Sequence, residues 1–301
     1  MVLGAAHGFG AIPAEWITRL RAAAEIQGWL ASQDCQCGVD AVESPDPGTN
    51  KVEFVNAQGH TLAARLEWPP HGAKPKAVAI FAHCFTCSKD LPATTRIARA
   101  LAQRGFAVLR FDFTGLGSSD GDFANTNFSS NVEDLVAAAE HLGKTVGAPS
   151  ILIGHSLGGA AVIAAAGRIE GIRGIVTIAA PSDPAHVNHL LGADIETIES
   201  RGEAEIEIDG RPFTIRKQFL DDIRRQKVLA ILRNYRGAIL ILHSPFDRIV
   251  SVQHAAEIFG AAHHPKSFVS LDEADHLLTR PRDSAFAAEM IAAWSNHLFD
   301  G

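Results

Sequence analysis

An α/β fold, with a mainly parallel, doubly wound sheet and helices on both faces, is predicted by three features of the sequence. Short apolar runs at Ala77 to Ala82, Phe106 to Phe111, Ile151 to Ile153, Ile172 to Ala179 and Ala238 to Leu242 read as buried strands. Segments of helical periodicity stand between them, at Thr94 to Gln103, Asn131 to Leu142 and Val252 to Phe259. One strand passes into its helix through Gly154-His155-Ser156-Leu157-Gly158. Strands that alternate with helices need right-handed crossovers, which leave the strands parallel and both faces of the sheet covered.

In chain order, residues 1–50 form an extension and residues 51–301 the main domain. Within the extension, Pro13 to Leu30 carries an amphipathic helix with Trp16, Ile17, Leu20, Ile26 and Leu30 on its apolar side. That helix can dock on the domain, cover the site or join a second subunit in a homodimer. Ser44 to Asn50 is a linker rich in turn formers. Lys51 to Val55 and Thr61 to Trp68 alternate around Asn56-Ala57-Gln58-Gly59 and predict an antiparallel hairpin. Ser130 with Glu133 is a capping-box candidate for the helix that follows. The strand–helix rhythm breaks at about residues 181–236. There Glu203 to Ile208 and Arg211 to Ile215 flank Asp209-Gly210 as a second hairpin, and a helix is predicted from Gln218 to Asn234. The stretch is too long for a connection, so it is expected to be a small cap over the carboxyl edge of the sheet. Phe268 to Leu271 supplies the final strand and Ser284 to Leu298 the last helix.

Of the 301 residues, 47% are hydrophobic and 20% charged, enough to bury a large core. The net charge of −7 and the lack of a basic stripe exclude a nucleic-acid partner. No apolar run reaches membrane-spanning length, and the N-terminus has no signal-peptide pattern, so a cytoplasmic protein with no membrane partner is expected. Cysteines occur only as Cys35-x-Cys37 and Cys84-x-x-Cys87. In a chain of this size they are not expected to form a disulfide framework, although Cys84-x-x-Cys87 could serve as a redox pair or half a zinc site.

Gly154-x-Ser156-x-Gly158 between strand and helix is the pattern of a nucleophile elbow. The serine must occupy a strained turn, so the residues two places away on either side have to be small. A serine hydroxyl needs a base to take its proton, and the base needs a carboxylate to hold its tautomer. The loops after the last two strands offer Asp247, in His243-Ser244-Pro245-Phe246-Asp247, and His276, in Asp272-Glu273-Ala274-Asp275-His276. Asp272 and Asp275 are rival acids, but a residue adjacent to the ring in sequence generally points elsewhere. An oxyanion would be held by the amide of Leu157 and by that of Phe85, in the loop His83-Cys84-Phe85-Thr86-Cys87-Ser88-Lys89. His83 and His155 are expected to orient these loops.

Taken together, the elbow, the His83 loop, Asp112-Phe113-Thr114-Gly115-Leu116-Gly117-Ser118-Ser119, Asp247 and His276 resemble the α/β-hydrolase superfamily. More narrowly, Phe81 to Asp90 and Asn127 to Leu135 resemble the hydrolase half of bacterial proteins fused to an OsmC-like domain. The sequence reaches Gly301 without an OsmC-like region, as expected of either a truncated chain or a stand-alone relative, so that partner's redox chemistry is not carried over. His83-Cys84-Phe85-Thr86 is also similar to the His-Gly-Phe-Thr of cinnamoyl and feruloyl esterases, with Cys84 in place of glycine. The resemblance implies a serine esterase that needs no cofactor or metal. It would cleave small-molecule esters, of short-chain or hydroxycinnamoyl acids, through Ser156, His276 and Asp247. A thioesterase, acyltransferase or peptidase would use the same three residues. Outside that class, Cys84 and Cys87 could make a thiol-redox module, and a catalytically silent fold could act as a scaffold.

Overall fold

The computed structural model describes residues 48–208 and 210–299. The predicted N-terminal helix and most of the linker, within residues 1–47, lie outside the described residues. The end of that linker, Thr49 and Asn50, opens the first strand instead.

Ten strands are described. Eight form one sheet in the order β1-β2-β4-β3-β5-β6-β9-β10. Strands β1 (Thr49–Val55) and β2 (Thr61–Glu67) are an antiparallel hairpin, and β2 joins β4 (Phe106–Phe111) antiparallel. From β4 onward the pairing is parallel, through β3 (Ala77–Ala82), β5 (Ile151–His155), β6 (Gly174–Ile178), β9 (Ala238–His243) and β10 (Lys266–Ser270). The central strands are buried along their whole length, as continuous apolar runs require. The polar, half-buried β10 closes the edge.

The alternation of side chains decides which helix meets which face. Phe81, Ile153, Val176 and Leu240 share a core with α1 (Pro92–Gln103) and the C-terminal helix Pro281–Phe299. Their neighbours Ile80, Leu152, Ile175 and Ile239 pack with α2 (Phe128–Thr145), α3 (Leu157–Ala166) and the helix Val252–Ala261. Helix α3 is apolar on every side and fully buried, which suits a helix enclosed by sheet and neighbours.

Helix α2 starts earlier than the sequence suggested. Its N-cap is Asn127, whose side chain accepts from the Ser130 amide at 2.8 Å while the Ser130 hydroxyl accepts from the Asn127 amide at 2.9 Å. The capping box is therefore Asn127 with Ser130, and Glu133 pairs with Arg168 at 2.8 Å. Between β6 and β9 lie three short helical segments, the hairpin β7 (Glu203–Ile208) with β8 (Arg211–Arg216), and two helices, Lys217–Arg225 and Val228–Asn234. The single helix expected from Gln218 to Asn234 is thus broken at Gln226. Its buried positions are Phe219, Leu220 and Ile223, then Val228 and Leu232; the step of five from 223 to 228 turns the apolar stripe away from one straight face.

Candidate active site

The elbow is built as the spacing demands. Ser156 sits at φ 54°, ψ −127°, a conformation few non-glycine residues adopt. A Cβ on Gly154 would stand 2.3 Å from the Gly158 carbonyl oxygen, and one on Gly158 would stand 2.4 Å from the His83 carbonyl oxygen. The turn and the loop after β3 are thereby pressed together. Leu157, the first residue of α3, has no carbonyl four residues back within the helix to receive its amide.

The loops after β9 and β10 bring Asp247 and His276 to this turn. Ser156 Oγ lies 3.0 Å from His276 Nε2, and His276 Nδ1 lies 2.8 Å from Asp247 Oδ2. An ionised carboxylate can only accept, so Nδ1 carries the proton and Nε2 is left bare toward the serine hydroxyl. The other Asp247 oxygen accepts from the amides of Ile249 at 2.8 Å and Val250 at 2.9 Å. Burial works against the Asp247 charge, but the His276 hydrogen bond, the positive charge that His276 gains when protonated and those two amides outweigh it, so its pKa lies below the ordinary carboxylate value. The rival acids are used otherwise. Asp275 accepts from the amide of Thr279 at 3.0 Å and from its hydroxyl, closing its own turn. Asp272 accepts from the Ser244 hydroxyl at 2.6 Å through its backbone carbonyl, and it is the Asp247 carboxylate, not that of Asp272, that meets the His276 ring.

Two other histidines hold the site. His155 Nε2 lies 2.7 Å from the His276 carbonyl oxygen, and His83 Nδ1 lies 2.8 Å from that of Cys84. Complete burial drives His155 down to about 3, helped by the neighbouring His276; burial also lowers His83. Both rings are neutral donors at neutral pH, and neither stands where it could act as base on Ser156.

Phe85 stands in the loop that leaves β3, next to the elbow strand, with Ala82 paired to Gly154. Among the described residues its amide has no backbone acceptor. The loop is anchored beyond it by a buried ionic network that the sequence did not reveal. Asp112 accepts from Lys89 Nζ at 2.7 Å, the Lys89 amide at 2.6 Å and the Ser118 amide at 2.8 Å. Arg110 reaches Glu67 at 2.7 Å and the Lys89 carbonyl at 2.6 Å.

One expectation is corrected here. Cys84 and Cys87 form a disulfide. The cysteines begin and end a turn closed by the Cys87 amide on the Cys84 carbonyl at 3.3 Å, and their Cα atoms are 5.4 Å apart, within bridging range. No cluster of three or more metal-ligating side chains occurs among the described residues. Phe85 also stacks on Phe219 of the insertion at 5.3 Å and packs against Phe123 at 5.7 Å. Beneath these rings, a cavity lined by His83, Phe85, Phe113, Phe123 and Leu157 has room of about 10 Å³, close to a single water.

Sheet order, elbow and the serine–imidazole–carboxylate chain define a hydrolase of the α/β class. Residues 73–198 match the serine aminopeptidase S33 family of hydrolases. The esterase domain of a Rhodothermus marinus protein is 49% identical, with a TM-score of 0.69 over 83% of this chain and 98% of that one. Est1E of Butyrivibrio proteoclasticus, solved with ferulic acid bound, shares the fold at 21% identity and a TM-score of 0.73, over 83% of this chain and all of that one. Among curated proteins, the mouse mitochondrial palmitoyl-protein thioesterase ABHD10 is 28% identical over 60% of this chain and 62% of its own length. The chain belongs to the α/β-hydrolase superfamily.

Proposed function

We propose that the protein is a serine esterase that cleaves carboxylic esters of small acids through an acyl-enzyme intermediate. The observation that carries this is the continuous line Ser156 Oγ, His276 ring, Asp247 carboxylate, at 3.0 and 2.8 Å. His276 Nε2 takes the Ser156 proton as Oγ attacks the ester carbonyl, and Asp247 supports the imidazolium that forms. The amides of Leu157 and Phe85 receive the oxyanion. The imidazolium then protonates the departing alcohol, and water, deprotonated by the same ring, releases the acid. Buried Asp247 stays ionised throughout, since its pKa lies below the ordinary value.

A short acyl group is part of this reading: the cavity beside Phe85 and Leu157 has room of only about 10 Å³, whereas the cleft lined by Phe246, His276 and Leu277 offers about 400 Å³ to the rest of the ester. The insertion between β6 and β9 acts as a cap, with Phe219 and Phe213 closing over Phe85 and Phe123. Ser156→Ala should abolish p-nitrophenyl acetate turnover and labelling by a fluorophosphonate; an unchanged kcat ends the proposal. A panel of p-nitrophenyl acetate, methyl ferulate, acetyl and palmitoyl thioesters and a peptide amide tests the substrate class. A higher kcat/KM for any other member than for the acetate ester overturns the preference.

A further inference from the structure

We propose that the Cys84–Cys87 bridge is a thiol–disulfide exchange site for dithiol reductants, and that opening it switches the esterase off by releasing the oxyanion amide of Phe85. The inference rests on the role proposed above for that amide. Phe85 and Thr86 are the two residues enclosed by the bridge. Thr86 has φ 58°, a left-handed conformation that a β-branched residue adopts only when its surroundings impose it. Within the turn the restraints are the bridge, the 3.3 Å bond from the Cys87 amide to the Cys84 carbonyl and the 2.7 Å bond from the Thr86 hydroxyl to the Phe85 carbonyl, and of these only the bridge is covalent. Arg211 of β8 holds the Thr86 carbonyl from outside. On either side the chain is fixed: His83 is buried and bonded to the Cys84 carbonyl, and Lys89 is locked to Asp112. Loss of the covalent link therefore loosens the two residues that carry the amide, while their neighbours stay in place.

The two cysteines differ in exposure. Cys84 is buried, at 5% exposure, whereas Cys87 is partly exposed. A thiolate of the reductant attacks Cys87 Sγ, the sulfur–sulfur bond breaks, and Cys84 leaves as a thiolate. The second thiolate of the reductant then attacks its own sulfur in the mixed disulfide and frees Cys87. Two electrons pass to the protein, both cysteine thiolates take up protons, and the reductant departs as its cyclic disulfide. Relaxation of Thr86 turns the Phe85 amide away. Loss of one oxyanion donor lowers kcat by about 10²–10³.

The test uses the full chain carrying Cys35→Ser and Cys37→Ser, so that one pair alone can respond. Activity on p-nitrophenyl acetate is measured before treatment with dithiothreitol, after it, and after reoxidation, with alkylation and mass spectrometry reporting the state of the pair. The expected result is a fall in kcat of at least tenfold on reduction, restored on reoxidation, with far-UV circular dichroism unchanged. A Cys84→Ala/Cys87→Ala variant should sit at the reduced level and ignore dithiothreitol. A pair that is reduced while kcat falls by less than tenfold overturns the proposal, as does a pair that resists millimolar dithiothreitol in the native protein. Ser156→Ala separates the two failures. If its turnover vanishes while the parent ignores reduction, only the switch is wrong; if its turnover survives, the esterase proposal itself falls.

Discussion

The ring of His155 donates from Nε2 to the backbone carbonyl of His276, at 2.7 Å. The residue that precedes the nucleophile thus holds the main chain of the base, 121 positions further on. His155→Ala removes the hold and leaves the His276 carbonyl without its donor. The expected outcome is a fall in kcat of about 10- to 100-fold, the range that a misplaced catalytic group produces, with KM little changed. His155→Gln, whose amide can donate, should recover part of it. Steady-state kinetics of the two variants decide the matter.

Asp247→Asn should lower kcat by about 10⁴-fold with the fold intact. The asparagine oxygen can still take the amides of Ile249 and Val250, now at 2.8 and 2.9 Å from the carboxylate. Its NH₂ would then face His276 Nδ1 and select the tautomer that donates toward Ser156, so the hydroxyl loses its acceptor. Retained thermal stability with collapsed kcat is the signature.

Gly158→Ala tests how closely the elbow and the oxyanion loop are pressed together. The new methyl would lie 2.4 Å from the His83 carbonyl and 2.6 Å from that of Ala82. Both obstacles are backbone, so no rotamer relieves them. A loss of about 1–3 kcal/mol is expected from overpacking, together with loss of ester turnover as the loop moves. Urea denaturation and p-nitrophenyl acetate hydrolysis measure the two effects.

The alternation of apolar runs and helical segments made the sheet and the order of its loops readable. With them came the meeting of Ser156, Asp247 and His276, because the loops at the carboxyl ends of parallel strands share one edge. Contacts without a periodic signature were not readable. Lys89 and Asp112 are charged residues that local sequence assigns to a surface, and only the fold buries them together. Cys84-x-x-Cys87 is compatible with thiol, metal or bridge, and the turn that closes it decides. The cap of α2 was misplaced by three residues because Ser130 can serve as N-cap or as N3, and Asn127 takes the first role.

Asp112→Asn should destabilise the fold strongly. The buried Lys89 ammonium would keep only Asp90, at 3.2 Å, as a counter-charge. Removing one member of a buried pair costs about 3–5 kcal/mol, and the partly exposed Asp90 places this site at the lower end. Lys89→Met combined with Asp112→Asn should lose less than Asp112→Asn alone, since no unpaired charge is left. Chemical denaturation of the single and double variants gives the comparison.

Stability should fall as the pH drops below neutral, and His155 supplies a measurable share. Burial holds its folded pKa at about 3, below the unfolded value near 6.5, so between those limits the unfolded chain binds the extra proton. The contribution of the neutral ring is complete above pH ~6.5 and is lost progressively as the pH falls toward ~3. Between pH 7 and pH 5 the linkage amounts to about 2 kcal/mol for one fully buried histidine. His83, also lowered by burial, adds to the slope with the same sign. In His155→Gln this share disappears, so the difference in unfolding free energy between pH 7 and pH 5 should shrink by about 2 kcal/mol relative to the parent. Urea titrations at the two pH values measure it, and an unaltered difference would mean that the buried ring carries its proton in the folded state.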